Sequence, residues 1–122
     1  MRYMLLIYGD EAAWGKRSEQ ENGAIFQQYV DFTEGIRRSG AFLASDPLQP
    51  TGAATTVRGK NGKAVSTDGP FAETKEQLGG YYIVEAANLD EALSIASRVP
   101  AVQAGGAVEV RPIREMGPPP RK

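Results

Sequence analysis

The chain contains no cysteine and no histidine among its 122 residues. Without cysteine it can form neither a disulfide framework nor a thiolate metal site, and it has no thiol nucleophile. Without histidine it lacks the side chain that serves most often as a general base and as a metal ligand. Any chemistry that the protein performs must therefore be built from other groups.

The chain also lacks an excess of charge of one sign and a long hydrophobic segment. Its net charge of −1 gives no basic footprint for nucleic acid. The apolar run at residues 3–8 is too short for a membrane span or for the hydrophobic part of a signal peptide. We therefore expect a soluble cytoplasmic protein with no membrane contact and no direct nucleic-acid partner.

The length predicts one domain, residues 1–115, with a core that needs no cross-links. Residues 3–8 are continuously apolar, which is typical of a strand covered on both faces. Ser18 and Glu21 have the spacing of a helix capping box. An apolar stripe at helical spacing follows them, made of Ile25, Tyr29, Phe32 and Ile36. Gly40 suits the position after the helix, and we expect Gly35, inside it, to allow close packing on the sheet.

A short strand at residues 41–44 closes the first β-α-β unit. The Asn61-Gly62 pair predicts a tight hairpin between strands at residues 55–59 and 63–67. Residues 81–84 are the strongest strand candidate in the chain. A capped helix that begins after Asn88 and ends at Pro100 then leads to an alternating strand at residues 107–111. Residues 116–122 are rich in proline, lack periodicity and are expected to be disordered.

The order of elements is β-α-β, hairpin, β-α-β, which predicts a ferredoxin-like α+β sandwich with both helices on one face of an antiparallel sheet. The opposite face poses a problem, because the central strands carry apolar residues on both sides and no third helix is available to cover them. Leu5 with Leu6 and Tyr82 with Ile83 illustrate this. A second copy packed sheet against sheet would remove the exposed patch, so we predict a homodimer.

The segment at residues 67–86 is the most distinctive part of the chain. It contains the turn Asp68-Gly69-Pro70-Phe71, a charged stretch, the Gly79-Gly80 pair and then the strong strand. Partial desolvation beside Phe71 would suit Asp68 to act as a general acid or base, which makes it the candidate catalytic residue. A structural alternative stays open, because an Asp before Gly-Pro commonly accepts hydrogen bonds from the backbone of its own turn.

Aromatic residues together with one acid and one base are the usual components of a ligand cleft. We therefore predict a binding cleft between the first helix and the sheet. Its predicted ligand-binding residues, beside Asp68, are Tyr8, Trp14, Phe42, Arg58, Phe71 and Tyr81. Asp10, Glu11 and Asp68 have oxygen ligands suited to Mg²⁺ or Ca²⁺, but nothing in their spacing requires an ion. We predict neither a metal nor a cofactor.

Several segments together resemble the YCII-related (YciI-like) family, specifically its DGPF-domain branch. The residues that carry the resemblance are YMLLIYGDEAAW at 3–14, ATTVR at 54–58, TDGPFAETKEQLGGYYIVE at 67–85, LDEAL at 89–93 and VEVRPI at 108–113. The resemblance implies the dimeric α+β barrel fold. Members of this branch are often encoded beside extracytoplasmic-function sigma factors, which implies a possible association with such a factor.

The resemblance implies less about activity. The wider family was proposed to use a His on the first helix and an Asp just before a Pro after the second helix. Here Gln28 or Tyr29 occupies the first region, and Val99 precedes Pro100. The pair therefore cannot be carried over. Two functions stay open: a homodimer with a small-molecule-binding cleft near the DGPF turn, with or without weak enzymatic activity, and a non-catalytic regulatory or interaction module linked to sigma-factor-dependent transcription.

Overall fold

The computed structural model describes residues 1–118, which contain six strands, four α-helices and one 3₁₀ turn, Thr51–Ala53. The strands are β1 (Arg2–Gly9), β2 (Phe42–Pro47), β3 (Thr55–Lys60), β4 (Lys63–Asp68), β5 (Gln77–Glu85) and β6 (Ala107–Pro112). The helices are α1 (Glu11–Trp14), α2 (Glu19–Arg38), α3 (Leu89–Ala96) and α4 (Pro100–Gln103).

Four strands form one antiparallel sheet in the order β2-β5-β1-β6. This arrangement confirms the predicted ferredoxin-like α+β fold. Strands β3 and β4 form a separate two-stranded hairpin, inserted between the two halves of the fold. Asn61 and Gly62 both have positive φ, 51° and 77°, as a type I′ turn requires, so the hairpin is also confirmed.

The core lies between the sheet and the helices. Alternation along β1 turns Tyr3, Leu5 and Ile7 into this core. Helix α2 contributes Phe32 and Ile36 from its apolar stripe. The remaining buried apolar residues come from β5, α3 and the adjoining loops: Ala41, Tyr82, Val84, Ala86, Ala92, Ile95, Ala96 and Val99.

Helix α2 begins and ends as its sequence predicts. The Ser18 hydroxyl accepts a hydrogen bond from the Glu21 backbone N–H, and the Glu21 carboxylate accepts one from the Ser18 N–H, both at 3.1 Å. Gly40, just past the helix, has φ of 81°. The expectation for Gly35 is wrong, because this residue is exposed and a Cβ built on it would meet nothing within 4 Å. No close contact with the sheet accounts for that glycine.

The chain between β5 and β6 differs from the single helix that the sequence pattern predicts. Helix α3 ends at Ala96, and Pro100 starts the short helix α4 instead of ending the longer one. Proline is well suited to a first helical position, since that residue has no intrahelical partner for an N–H and its φ is already helical. Strand β2 also extends further than predicted, from Phe42 to Pro47.

The sheet face opposite the core is partly exposed and apolar along its centre. The register places Met4 beside Ile83, and Ile83 beside Ala44. On the other side, Leu6 is paired with Glu109 of β6. We call these residues, Met4, Leu6, Ala44 and Ile83, the open-face strip. Both faces of β1 are thus apolar, as the sequence indicates.

Residues 116–118 have no regular secondary structure, and the rest of the predicted tail, residues 119–122, lies outside the described residues. Within residues 1–118, none of the helices has the length and apolar character that a membrane crossing requires.

Candidate functional site

A cavity of about 810 Å³ lies between helix α2 and the sheet, at the end where β1 leads into α1. This volume is within the usual range of small-molecule sites, roughly 300–1,000 Å³. Residues of α1, α2, β2, β5 and the turn after α4 line it together with the end of β1. The cavity therefore combines parts of the chain that are far apart in sequence.

One wall is formed by Trp14, the only tryptophan of the chain. Its indole lies directly over Gly9 of β1 and Gly79 of β5. A Cβ on Gly79 would lie 2.8 Å from the Trp14 Cη2 atom, and a Cβ on Gly9 would clash with the same ring more severely. Both strands must therefore carry glycine at these positions for the indole to cover the end of the sheet.

The lining also contains two hydroxyl groups that are bonded to each other. The oxygens of Thr33 on α2 and Tyr82 on β5 are 2.7 Å apart, and either can donate. The Tyr82 ring is fixed by Phe32, whose ring meets it edge-on at 5.2 Å between centroids. Two hydroxyls share one hydrogen bond here, so one O–H of the pair stays available as a donor to a ligand.

Tyr29 of α2 is a third hydroxyl-bearing residue in the lining. Burial raises the pKa of the Tyr29 phenol, and the neighbouring Tyr82 adds to this effect, while the backbone of Ala101 and the charge of Arg17 act in the opposite direction. With its pKa above the ordinary value of about 10, the phenol stays neutral in the physiological range and can donate a hydrogen bond.

Three charged side chains reach the lining: Asp10, Arg17 and Asp46. Asp10 caps helix α1, its Oδ1 accepting from the Ala12 N–H at 2.9 Å. Asp46 accepts from the Tyr81 hydroxyl at 2.8 Å, and this bond raises the pKa of Tyr81. Arg17, half-buried, forms no ion pair and no side-chain hydrogen bond with any of residues 1–118.

A polar network holds α1 against the loop that follows β2. The Glu11 carboxylate accepts from the Thr51 N–H at 2.9 Å and from the Thr51 hydroxyl at 2.6 Å. The Glu11 N–H in turn donates to the Gln77 Oε1 atom at 2.9 Å. The Glu11 carboxylate thus has a structural task. Across residues 1–118 no group of three or more carboxylates could hold a metal, so Asp10, Glu11 and Asp68 do not converge on an ion.

Only part of the predicted cleft comes together in the structure. Tyr8, Trp14 and Tyr81 border the cavity. Phe42 does not, because its ring packs edge-on against Tyr82, 6.3 Å away, and lies under the Arg37 guanidinium at 4.1 Å. The sequence pattern suggests that these aromatic residues share one cleft. It does not show which of their rings point into that cleft.

The remaining predicted residues belong to the hairpin. Arg58 of β3 lies over the Phe71 ring, 4.7 Å from its centroid, and neither residue lines the cavity. Asp68 is exposed at the end of β4 and lies outside the lining as well. A catalytic role for Asp68 and a binding role for Arg58 and Phe71 stay predictions.

The turn at residues 68–71 is held by backbone groups. The Gly69 N–H donates to the Ala54 carbonyl and the Gly69 carbonyl accepts from the Thr56 hydroxyl, each at 2.8 Å. Gly69 has φ of 104°, which a side chain would disfavour. Among residues 1–118 no hydrogen bond reaches the Asp68 carboxylate, so the expected bond to its own turn is absent there.

Sequence reasoning missed Arg17, Thr33 and Tyr82 as cavity residues. Tyr29 was visible in the apolar stripe of α2, where it resembles an ordinary core residue. Tyr82 likewise alternates into the core along β5. Arg17 has no signal in the sequence, because its position next to the cavity depends on how α1 packs across the end of the sheet.

The fold and the cavity define the chain as an α+β protein of the ferredoxin-like type, with a pocket between its first long helix and the sheet. The YCII-related domain matches residues 1–117, and the chain belongs to this family. An uncharacterized protein of Rhizobium meliloti (strain 1021) is 39% identical over 121 residues, covering 93% of this chain and 92% of that protein.

A solved structure of similar fold is that of 5-chloro-2-hydroxyhydroquinone dehydrochlorinase (TftG) from Burkholderia phenoliruptrix AC1100, in complex with 2,5-dihydroxybenzoquinone. It is 17% identical to this chain, with a TM-score of 0.53, and the match covers 93% of this chain and 94% of that one. At this identity the likeness establishes the shared fold.

Proposed function

We propose that the protein binds a small planar molecule, a hydroxylated ring compound, in the cavity between α2 and the sheet. The observation that carries this proposal is the cavity itself, which has a volume of about 810 Å³ and a lining rich in aromatic residues with a few hydroxyl groups. A mostly apolar pocket with a small number of placed polar groups is the usual form of a ligand site. The complex of the structural neighbour with 2,5-dihydroxybenzoquinone supports this class of ligand.

Each part of the lining has a task in this proposal. The Trp14 indole provides a flat apolar surface against which a ring packs. The neutral Tyr29 phenol and the free O–H of the Thr33–Tyr82 pair donate hydrogen bonds to oxygen atoms on the ring. Because the Tyr29 pKa is raised, this residue acts as a donor and not as a base at neutral pH.

Weak enzymatic activity belongs to the same proposal. The lining offers the Asp46 carboxylate, which accepts a hydrogen bond from the Tyr81 hydroxyl, and this carboxylate would accept the proton of a ligand hydroxyl while the Tyr81 phenol keeps its own. The earlier candidate, Asp68, would take part only if the hairpin turn were brought to the cavity by a second copy of the chain.

Homodimerisation through the open-face strip is part of the proposal. Met4, Leu6, Ala44 and Ile83 form a partly exposed apolar strip on the sheet face away from the core. Sheet-against-sheet packing of two copies would bury it and would carry the hairpin of each copy toward its partner. We propose that this dimer is a cytoplasmic protein.

A non-catalytic interaction module is the second candidate, and the hairpin favours it. Val57, Val65 and Phe71 are 64%, 42% and 73% exposed, although all three are apolar. Val65 lies opposite Arg58 in the hairpin register, and Arg58 lies over the Phe71 ring, so these exposed groups offer one surface for a protein contact, with Val57 on the other face of the hairpin. An affinity purification that recovers a sigma factor on the wild type but not on a Phe71→Ala variant would support this candidate.

The ligand proposal is tested by filling the cavity. Val30 of α2 lines the cavity, and Val30→Trp would occupy the space of the ligand ring. We expect wild-type protein to bind 2,5-dihydroxybenzoquinone in isothermal titration calorimetry, and Val30→Trp to weaken this binding at least tenfold. Circular dichroism and thermal melting check that the variant is folded.

Val57→Trp is the matched control, since it makes the same change on the exposed hairpin, outside the lining. It should bind as the wild type does. Asp68→Asn separates the two regions further: unchanged binding assigns the site to the cavity alone, and lost binding in a folded protein shows that the turn contributes to the site, by itself or as part of the proposed dimer. Equal losses in Val30→Trp and Val57→Trp, or no binding by the wild type, would contradict the proposal.

A further inference from the structure

We infer that the cavity selects ligands that carry a negative charge, and that Arg17 binds the anionic oxygen atoms. The ligand class is then a planar ring bearing a carboxylate or an ionised hydroxyl group, in preference to a neutral ring of the same shape. This inference deepens the proposed function and rests on the cavity being a ligand site.

The position of Arg17 is fixed by the structure around it. It lies in the turn between α1 and α2, where its backbone N–H donates to the Trp14 carbonyl at 3.2 Å. Its side chain is half-buried and lines the cavity. The residue that brings the positive charge is therefore tied to the residue that provides the flat apolar wall.

The charges of the lining are unequally satisfied. Two carboxylates, Asp10 and Asp46, accept hydrogen bonds from Ala12 and from Tyr81 respectively. The Arg17 guanidinium has no such partner among residues 1–118. A guanidinium carries five N–H donors in a planar fork that matches a carboxylate or a pair of ring oxygens. Arg17 is thus the one charged side chain of the described lining with no hydrogen bond or ion pair, and the carboxylate outside the lining that its charge influences is that of Glu21, whose pKa it helps to lower.

Tyr29 lies within reach of the same charge. Both residues line the cavity, and the positive charge of Arg17 is one of the influences on the pKa of the Tyr29 phenol. A ligand anion between them would receive hydrogen bonds from the guanidinium and from the neutral phenol. Hydrogen bonds to an ionised acceptor are roughly twice as strong as those between neutral groups.

The test uses two probes that share a ring and differ in charge. They are 4-hydroxybenzoate, an anion at pH 7.5, and 4-hydroxybenzamide, which is neutral and nearly the same shape. In isothermal titration calorimetry at low salt, we expect the wild type to bind the benzoate about tenfold more tightly. Arg17→Gln should remove this preference while leaving the affinity for the amide within about twofold of wild type.

Arg38→Gln is the matched control, because Arg38 is 82% exposed, pairs with Glu34 at the end of α2 and does not line the cavity. Arg38→Gln should keep the wild-type preference for the benzoate. Arg17→Lys should keep part of this preference, since lysine retains the positive charge. Raising the salt concentration should reduce the preference in the wild type.

The comparison of the two probes in the wild type decides the inference even if Arg17→Gln fails to fold. Equal binding of the benzoate and the amide overturns the selection of anions and leaves the cavity as a ligand site. A preference for the benzoate that persists in Arg17→Gln overturns the role of Arg17. If no ring compound binds, the inference fails together with the proposed function.

Discussion

At the scale of single residues, the cavity depends on two glycines as much as on the aromatic side chains. Gly9 and Gly79 belong to neighbouring strands, and the Trp14 ring occupies the volume where their side chains would be. Gly80, next to Gly79, is required for a different reason. A Cβ added to Gly80 would lie 3.1 Å from the Asp46 carbonyl oxygen of the adjacent strand. The double glycine in the segment at residues 67–86 thus allows two different neighbours, Trp14 and Asp46, to pack closely.

Gly79→Ala should displace the indole, because the added methyl group would lie 2.8 Å from Trp14 Cη2 and an indole cannot bend away from it. Trp14 is the only tryptophan, so its fluorescence reports the change directly. We expect a red-shifted emission maximum, as the ring becomes more exposed, and at least fivefold weaker binding of 2,5-dihydroxybenzoquinone.

Gly59→Ala is the control for this change, since a Cβ on Gly59 of the hairpin meets nothing within 4 Å. Its emission should match that of the wild type. An unchanged emission maximum in Gly79→Ala would show that the indole does not lie over this strand.

At the scale of elements, helix α2 lines the cavity from Ile25 to Thr33, and its N-terminus is secured by the Ser18–Glu21 capping box. Removing the Ser18 hydroxyl leaves the Glu21 N–H without its partner. Ser18→Ala should therefore lower the free energy of unfolding by about 1 kcal/mol, the usual effect of losing an N-cap. Urea unfolding at pH 7 measures this loss of stability. Ser66→Ala, on the exposed strand β4, is the control and should leave the free energy of unfolding nearly unchanged.

The capping box also predicts a dependence on acid. Hydrogen bonds from the backbone and side chain of Ser18 lower the pKa of Glu21 in the folded state. The stabilisation is therefore present above the ordinary pKa of a glutamate, about 4.3, and is lost as the pH falls through the lower folded value. Between pH 5 and pH 3, Glu21→Gln should lose less of its stability than the wild type does. A loss as large as that of the wild type would contradict the prediction.

The hairpin is the element least supported by the rest of the chain. Two strands alone are marginally stable in water, and here the hydrogen bonds of Gly69 to Ala54 and Thr56 close its base. Its exposed apolar residues are best explained by a contact that a single copy does not provide. In the two proposals, that contact is with a second copy of the chain or with another protein.

At the scale of the whole molecule, we propose that the open-face strip forms the contact between two copies. We expect the wild type to be a dimer by light scattering at micromolar concentration. Leu6→Arg should give a monomer, because it places a charge in the centre of the strip that two copies would bury. Leu89→Arg on α3, where the leucine is already 49% exposed, is the matched control and should stay dimeric. A monomeric wild type would contradict the proposal.

The sequence by itself determined the local structure and, through it, the fold. The capping box, the Asn61-Gly62 turn and the alternation of apolar residues are short-range patterns, and each specifies its own element. The order of the elements with right-handed crossovers then leaves few topologies. Predictions were wrong where a pattern has two explanations. Gly35 was expected to allow close packing, but a Cβ there meets nothing within 4 Å. Pro100 was expected to end a helix, but it begins helix α4.

Only the tertiary structure decided which side chains share the cavity. Trp14 reaches Gly79, and Thr33 reaches Tyr82, across long separations in the chain, and no local pattern records such contacts. The aromatic residues that the sequence suggested are divided between the cavity, the core and the hairpin, because the direction of each ring depends on the strand register. Arg17 became a candidate for the same reason: its charge acquires a role only when α1 folds across the end of the sheet.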